Sequence, residues 1–113
     1  MYKTSQGITR IVSAAASVNA TDVVGGPNVL TRVTGYNAAS AVRYLKFYDK
    51  LAGGSTDTPK MTIAIPATTA FNIELDVEFN VAISLRLTTG SADNDTGTLT
   101  AGDILGLNVG YSS

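Results

Sequence analysis

Apolar and polar residues alternate with a period of two along the second half of the chain. One run of alternating apolar residues comprises Phe71, Ile73, Leu75 and Val77, and a second comprises Phe79, Val81, Ile83, Leu85 and Leu87. Successive side chains of a β-strand point to opposite faces of the sheet, so each run predicts a strand with one apolar and one polar face. We therefore expect two strands here, or one long strand that bends near residues 77–79.

The C-terminal segment follows the same pattern. Alternation predicts one face with Leu105, Leu107, Val109 and Tyr111 and an opposite face with Ile104, Gly106, Asn108 and Gly110. The two glycines indicate a bend or the close approach of a neighbouring backbone. Upstream, residues 61–65 predict a short strand that ends at Pro66, because proline has no N–H to donate to a neighbouring strand.

The first half of the chain predicts strands less regularly. Residues 29–36 and 41–50 are each rich in strand-forming residues, and the polar segment 37–40 between them suits a hairpin loop. Residues 8–15 predict a further strand. Residues 17–28 include two adjacent glycines followed by a proline, and they predict a loop.

Segments rich in glycine and polar residues separate these strands, at 53–59 and 90–97. Strands that alternate with such loops, without a helical period, are typical of an antiparallel β-sandwich or barrel. No linker or internal repeat divides the chain. We therefore predict an all-β fold with a single β-sandwich domain over residues 1–113, in which residues 1–7 form a candidate flexible N-terminal arm.

The amino-acid composition argues against most classes of enzyme. The 113 residues include no cysteine, histidine or tryptophan, so a Ser-His-Asp triad and a thiolate metal site are excluded. The sequence has no run of eighteen apolar residues, so it predicts no membrane-spanning segment. We expect no catalytic residue, no cofactor and no bound metal. The net charge of −1 also predicts no electrostatic attraction to nucleic acid or to a membrane surface.

Charge is sparse and unevenly distributed. Charged residues make up 15% of the chain, against about 25% in ordinary soluble domains, which indicates an uncharged polar surface or a surface covered by partners. Residues 1–60 hold seven of the eight basic residues and three acidic ones, a net charge of +4, whereas residues 61–113 have a net charge of −5. Either the charges segregate by chance, or two patches of opposite sign favour head-to-tail contact between copies.

Two acidic segments are candidate sites of metal binding or catalysis. Residues 93–97, with Asp103 downstream, resemble the first half of a calcium-binding loop but lack its later glutamate and flanking helices. The alternative, which we favour, is an Asx-type turn whose side chains bond to their own backbone. Glu74, Asp76 and Glu78 form an acidic row that would supply the paired carboxylates of a glycosidase. For this acidic row we favour the alternative, in which the strand face is solvated or contacts a partner.

A mixed row of aromatic and basic residues lies on one face of the most aromatic predicted strand. This row suits packing under a loop, a protein–protein contact, or stacking on a ligand. We take it as a candidate protein interface, together with three residues at the N-terminus. The residues of this candidate interface are Tyr44, Lys46, Tyr48, Met1, Tyr2 and Lys3.

Several short blocks of the sequence resemble a known family of virion proteins. Gly35 and Asn37 precede small residues and then the block Arg-Tyr-Leu-Lys-Phe-Tyr-Asp-Lys at residues 43–50. Further blocks are residues 57–59, Phe79 leading into residues 85–90, residues 93–96 and residues 108–111. Over residues 28–111 the chain is similar to the small capsid decoration or cement proteins of tailed bacteriophages and prophages.

The resemblance implies a jelly-roll-like β-sandwich that assembles as a homotrimer. It further implies that the trimer binds the major capsid protein on the outside of an icosahedral head and stabilises the head against internal DNA pressure. The protein would then be made in the cytoplasm of a bacterial host and act on the capsid surface of the virion. The alternative function is a carbohydrate- or receptor-binding module of a phage fibre or spike, with loops 52–58 and 90–98 as its binding end.

Overall fold

The computed structural model describes residues 6–113, whose regular structure consists of eight β-strands. In chain order they are β1 (Gln6–Ser13), β2 (Thr21–Gly25), β3 (Asn28–Asn37), β4 (Arg43–Tyr48), β5 (Met61–Ile65), β6 (Thr69–Phe79), β7 (Ala82–Thr88) and β8 (Ile104–Ser112). Within this described range, no helix is long and apolar enough to cross a membrane. The prediction of an all-β fold is confirmed.

The strands form two four-stranded antiparallel sheets. The first sheet has the order β1-β8-β3-β6 and the second sheet the order β2-β7-β4-β5. The pairs β1–β8, β2–β7, β3–β6 and β4–β5 are therefore nested along the chain. Such nesting arises when a long antiparallel ribbon, with its first four strands against its last four, wraps into two facing sheets. This is the jelly-roll arrangement, and the predicted jelly-roll-like β-sandwich is confirmed.

The core lies between the inner faces of the two sheets. Phe47 of β4 and Phe79 of β6 contact each other edge to face across this space, with ring centroids 6.5 Å apart. Apolar side chains from both sheets surround them, and removal of these side chains from water is the main stabilising contribution to the fold. The buried apolar residues include Leu30, Val33, Leu45, Ile65, Ile83, Leu85, Leu87, Ile104, Leu107 and Val109.

The two alternating runs at residues 71–87 form two separate strands joined by a tight turn at residues 80–81. The side chain of Asp49 holds this turn, because its carboxylate accepts backbone N–H bonds from Asn80 at 3.1 Å and from Val81 at 2.8 Å. The assignment of Val81 to the apolar face was wrong. Val81 lies in the turn and is 62% exposed.

The predicted hairpin across residues 37–40 is wrong, because β3 belongs to the first sheet and β4 to the second. The segment crosses between the sheets, and the buried Asn37 amide supports it. Asn37 Nδ2 donates to the carbonyls of Ile65 and Pro66 at 3.1 and 3.0 Å. Asn37 Oδ1 accepts the N–H of Ala39 at 2.9 Å. These bonds satisfy backbone groups at the end of β5 and in the segment that crosses between the sheets.

Residues 17–28, predicted to be a loop, contain the edge strand β2. Its pairing with β7 shifts register between Asp22 and Val24, and such an irregularity breaks the period-two pattern from which a strand is recognised. At the N-terminus, β1 begins at Gln6, within the stretch 1–7 predicted to be an arm. Residues 1–5 lie outside the described residues.

The predicted faces of β8 are wrong at the start of the strand. Ile104 is buried and Leu105 is exposed, the reverse of simple alternation. Gly106 has a φ of +60°, and the pairing of β8 with β3 shifts register at this point. The extra residue rotates the chain by one position, so that Leu107 and Val109 still face the core as predicted.

Candidate functional site

The outer face of the second sheet is covered by two of the chain's own loops, residues 50–58 and 90–97. In the first loop, Gly53 lies directly on the ring of Tyr48, and a Cβ atom at this position would be 2.3 Å from Tyr48 Cγ. The Gly53 N–H donates to Ser84 Oγ at 3.1 Å, and that hydroxyl donates to the Lys50 carbonyl at 2.6 Å. Ser84 of β7 therefore ties this loop to the sheet.

The second loop covers the mixed row that the sequence suggested as an interface. Lys46 and Tyr48 are fully buried, whereas Tyr44 is half-buried. Lys46 Nζ donates to the carbonyl of Ala92. Three arrangements were considered for this row, and Lys46 and Tyr48 have the one in which the side chains pack under a loop. A partner would reach them only if the loop moved.

Arg86 of β7 links the covered row to the second loop. Its Nη1 donates to the Tyr48 hydroxyl at 3.0 Å, and its Nη2 donates to the Asp95 carbonyl at 2.8 Å. Lys46 is directly opposite Arg86 in the sheet. The two buried cations thus hold the loop by donating hydrogen bonds to its carbonyl oxygens. These bonds satisfy N–H groups of both side chains that are removed from water.

Burial lowers the pKa of Lys46, because the charged form loses its hydration. The carboxylates of Asp95 and Asp93 oppose this shift, whereas the neighbouring Arg86 charge adds to it. The cluster is therefore a structural arrangement of cations, loop carbonyls and nearby carboxylates. Among residues 6–113, no buried side-chain nitrogen or oxygen lacks a hydrogen-bond partner.

The loop at residues 93–97 is the Asx-type turn that the sequence favoured. Asp95 Oδ1 accepts the N–H of Gly97 at 2.8 Å and the N–H of Gly90 at 3.2 Å. The side chain thus binds its own loop backbone, as Asp commonly does in turns. Among residues 6–113, no group of three or more acidic, His or Cys side chains is placed to hold a metal ion.

The outer face of the first sheet, here called the open face, is not covered by a loop in the same way. It carries four of the large exposed apolar side chains of the described residues. Ile8 and Val12 of β1 are 69% and 65% exposed, and Leu105 of β8 and Tyr36 of β3 are 39% and 37% exposed. Exposed apolar groups gathered on one face are typical of an interaction surface.

Three of these residues lie at the same end of the open face. Tyr36 is paired with Leu105 of β8 on one side and with Ala70 of β6 on the other. Leu105 is paired with Ser13, the neighbour of Val12. Cross-strand neighbours on one face are close enough for their side chains to contact, so an apolar band runs across the sheet from β1 to β6.

Charges of opposite sign occupy the two edges of the open face. Arg10 on β1 makes no hydrogen bond or ion pair with residues 6–113. On β6, Glu74, Asp76 and Glu78 all point outward and are exposed. Glu74 pairs with Arg32 at 3.1 Å, whereas the carboxylates of Asp76 and Glu78 have no partner in the described range. The acidic row is thus exposed on an edge strand, the arrangement that the sequence favoured.

A groove of about 690 Å³ lies on the first sheet, and Gly110 is among its lining residues. Ile8 and Tyr111 contribute its apolar lining, and Arg32 and Glu74 its charged lining. Only Glu74 of the acidic row lines this groove, so the paired carboxylates expected of a glycosidase are not brought together there.

The chain shares its fold with a known viral protein. No protein-family model and no curated protein sequence matches it. Among solved structures, the chain is similar to the coat protein of tobacco streak virus, with a TM-score of 0.51 and 8% sequence identity. The similarity covers 98% of this chain and 86% of that coat protein. At this identity the likeness concerns the fold, over almost the whole length of the chain.

Sequence reasoning assigned no structural role to Arg86 or Asn37, although each holds a non-local segment in place. The sequence does contain a feature that marks Arg86, because it is the only basic residue in residues 61–113 and interrupts a run of apolar residues. The N-terminal candidates Met1, Tyr2 and Lys3 lie outside the described residues. Their part in an interface stays a prediction.

Proposed function

We propose that this chain is a structural protein of a virion and, more specifically, a decoration protein that binds the outside of an icosahedral phage capsid. The observation that carries the proposal is the jelly-roll fold, which the chain shares over 98% of its length with a viral coat protein. The sequence blocks at residues 28–111, which resemble phage decoration proteins, support the finer assignment. The partner is then the major capsid protein, and the site of action is the capsid surface after synthesis in the bacterial cytoplasm.

The open face supports an adhesive role. It presents exposed apolar side chains and charges without a partner among residues 6–113 on one face of a sheet, and these are the components of a protein–protein interface. We propose no catalytic activity for the chain. Many identical copies bound around a shell would combine weak individual contacts into strong overall attachment.

We also propose that the chain assembles as a homotrimer. A stable contact buries about 800 Å² on each partner. The folded chain exposes 5723 Å², so two such contacts would cover about a quarter of its surface. This degree of coverage suits a protein with few charged residues. Native mass spectrometry should give the mass of three chains, and a single-chain mass at micromolar concentration contradicts the trimer.

Binding to the shell is tested with undecorated capsids of the phage that encodes the protein. Purified protein is mixed with these capsids and imaged by electron cryo-microscopy, with capsids that already carry the protein as a saturated control. Added density on the outer surface is the expected result, together with greater resistance of the capsid to heat. Absence of added density contradicts the proposal. Binding in a glycan screen, without capsid binding, would instead favour the fibre or spike module.

A further inference from the structure

The first sheet ends in two strands, β1 and β6, that have no further strand beside them among residues 6–113. β1 has eight residues and β6 has eleven, and neither contains proline. Each therefore presents a row of backbone N–H and C=O groups at its outer edge. Such an edge favours pairing with a strand of another chain.

The directions of the two strands are suited to each other. β1 is antiparallel to β8, β8 is antiparallel to β3, and β3 is antiparallel to β6. It follows that β1 and β6 run in opposite directions. When a second copy is placed beside the first in the same orientation, its β1 meets β6 of the first copy as an antiparallel neighbour.

The charges of the two edges are complementary. Arg10 lies in the middle of β1 and points outward without a partner in the described range. Asp76, also outward and without a partner there, lies on β6 beside the Arg32–Glu74 pair. Lys60 lies at the end of β6 beyond Asp76, where its Nζ donates to the Glu78 carbonyl. Opposite charges on adjacent strands stabilise the pairing.

We propose that copies of this chain join head to tail, with β1 of one copy beside β6 of the next and Arg10 against Asp76 of the neighbouring copy. The inference rests on the proposed function, because it specifies the contact of the homotrimer. A head-to-tail contact that closes after three copies leaves none of these edges unpaired. The exposed Ile8 and Val12 of β1 are then placed beside outward residues of the neighbouring β6.

The contact is tested with a pair of cysteines. The chain contains no natural cysteine, and in the proposed register Val12 lies opposite Glu74 of the next copy. The double variant Val12→Cys/Glu74→Cys is oxidised and run on a denaturing gel without reductant. It should give a covalent species of three chains, whereas each single variant should stay as one chain.

Two results of this experiment would overturn the contact. A covalent dimer from Val12→Cys alone means that two β1 edges meet symmetrically. Failure of the double variant to cross-link, under oxidation and also with a short bis-maleimide, means that these edges do not meet. A single-chain mass for the wild-type protein overturns the contact as well.

A charge exchange provides an independent measurement. Arg10→Glu should raise the dissociation constant of the assembly about tenfold, because a favourable pair becomes a like-charge pair. The combined variant Arg10→Glu/Asp76→Lys should recover the wild-type value. Lys50→Glu makes the same change of charge on a loop over the second sheet, where Lys50 pairs with Asp57. It is the control and should leave the dissociation constant unchanged. Equal effects of Arg10→Glu and the control contradict the proposed contact.

The capsid experiment separates this inference from the proposed function. Capsid binding by a protein whose β1 and β6 do not cross-link overturns the contact and leaves the decoration role intact. Cross-linked trimers that do not bind capsids overturn the decoration role and leave the contact intact. Circular dichroism of each variant establishes that it is folded before either result is used.

Discussion

Arg86 donates a hydrogen bond of 3.0 Å from Nη1 to the hydroxyl of Tyr48, and both side chains are buried on the outer side of the second sheet. The same guanidinium binds the Asp95 carbonyl at 2.8 Å. One residue therefore fixes both a neighbouring strand and the loop that covers it. Lys46 and Tyr48, which the sequence suggested as interface residues, lie under the chain's own loop, and their part in an interface stays a prediction.

Replacement of this anchor should be costly. Arg86→Ala leaves the Tyr48 hydroxyl and the Asp95 carbonyl without their partner in a buried place. We expect the free energy of unfolding to fall by about 3 kcal/mol. Arg32→Ala, which removes the exposed ion pair with Glu74, is the matched control and should cost less than about 1 kcal/mol. Urea denaturation measures both, and similar values for the two variants would contradict the role given to Arg86.

The packing of Gly53 on Tyr48 makes a second prediction. Gly53→Ala places a methyl group 2.3 Å from Tyr48 Cγ, so the loop or the ring must move. We expect a loss of stability of about 1–3 kcal/mol, as for other overpacked sites. Gly25→Ala meets nothing within 4 Å and should change stability by less than about 0.5 kcal/mol. An unchanged denaturation midpoint for Gly53→Ala would mean that the loop does not rest on the ring.

The left-handed backbone at Gly106 makes a third prediction. Its φ of +60° is unfavourable for a residue with a Cβ atom, although space for the side chain is open. Gly106→Ala should therefore destabilise the fold by about 1–2 kcal/mol. Gly106→Asn should cost less, because asparagine tolerates this conformation better than alanine. Equal stabilities of the two variants, measured by thermal denaturation, would argue against the shift in register at this residue.

Acid should weaken the turn between β6 and β7. Burial opposes ionisation of Asp49, but backbone hydrogen bonds from Val81, Asn80 and Ala82 lower the pKa of its carboxyl overall. A carboxyl whose pKa is lower in the folded than in the unfolded state stabilises the fold above the unfolded value. That contribution is lost as the pH falls through the folded value. We therefore expect a loss of stability below about pH 4.

Asp49→Asn tests this prediction. The difference in the free energy of unfolding between pH 7 and pH 3 should be smaller in this variant than in the wild type. Asp93→Asn changes an exposed carboxylate that makes no hydrogen bond among residues 6–113 and lies outside the proposed contact between copies, and it should leave the difference at its wild-type size. If Asp49→Asn behaves like Asp93→Asn, the turn does not depend on the ionised carboxylate of Asp49.

Local alternation was sufficient to predict the strands that have one face in the core. The outward position of Glu74, Asp76 and Glu78 and the inward position of Leu85 and Leu87 follow from a period of two, because that period is a property of the extended backbone itself. The absence of histidine and cysteine likewise limits the chemistry open to the chain, whatever its fold.

Tertiary structure decided the relations between distant segments. Whether residues 37–40 turn back as a hairpin or cross to the other sheet depends on Asn37 reaching Ile65, 28 positions away. The burial of Lys46 depends on a loop 46 positions away. The sequence by itself thus determined most of the strands, though not the edge strand β2, and which way most of their side chains point. Which strands pair, which sheet face the loops cover and which face stays open depend on long-range contacts, and no local period encodes these.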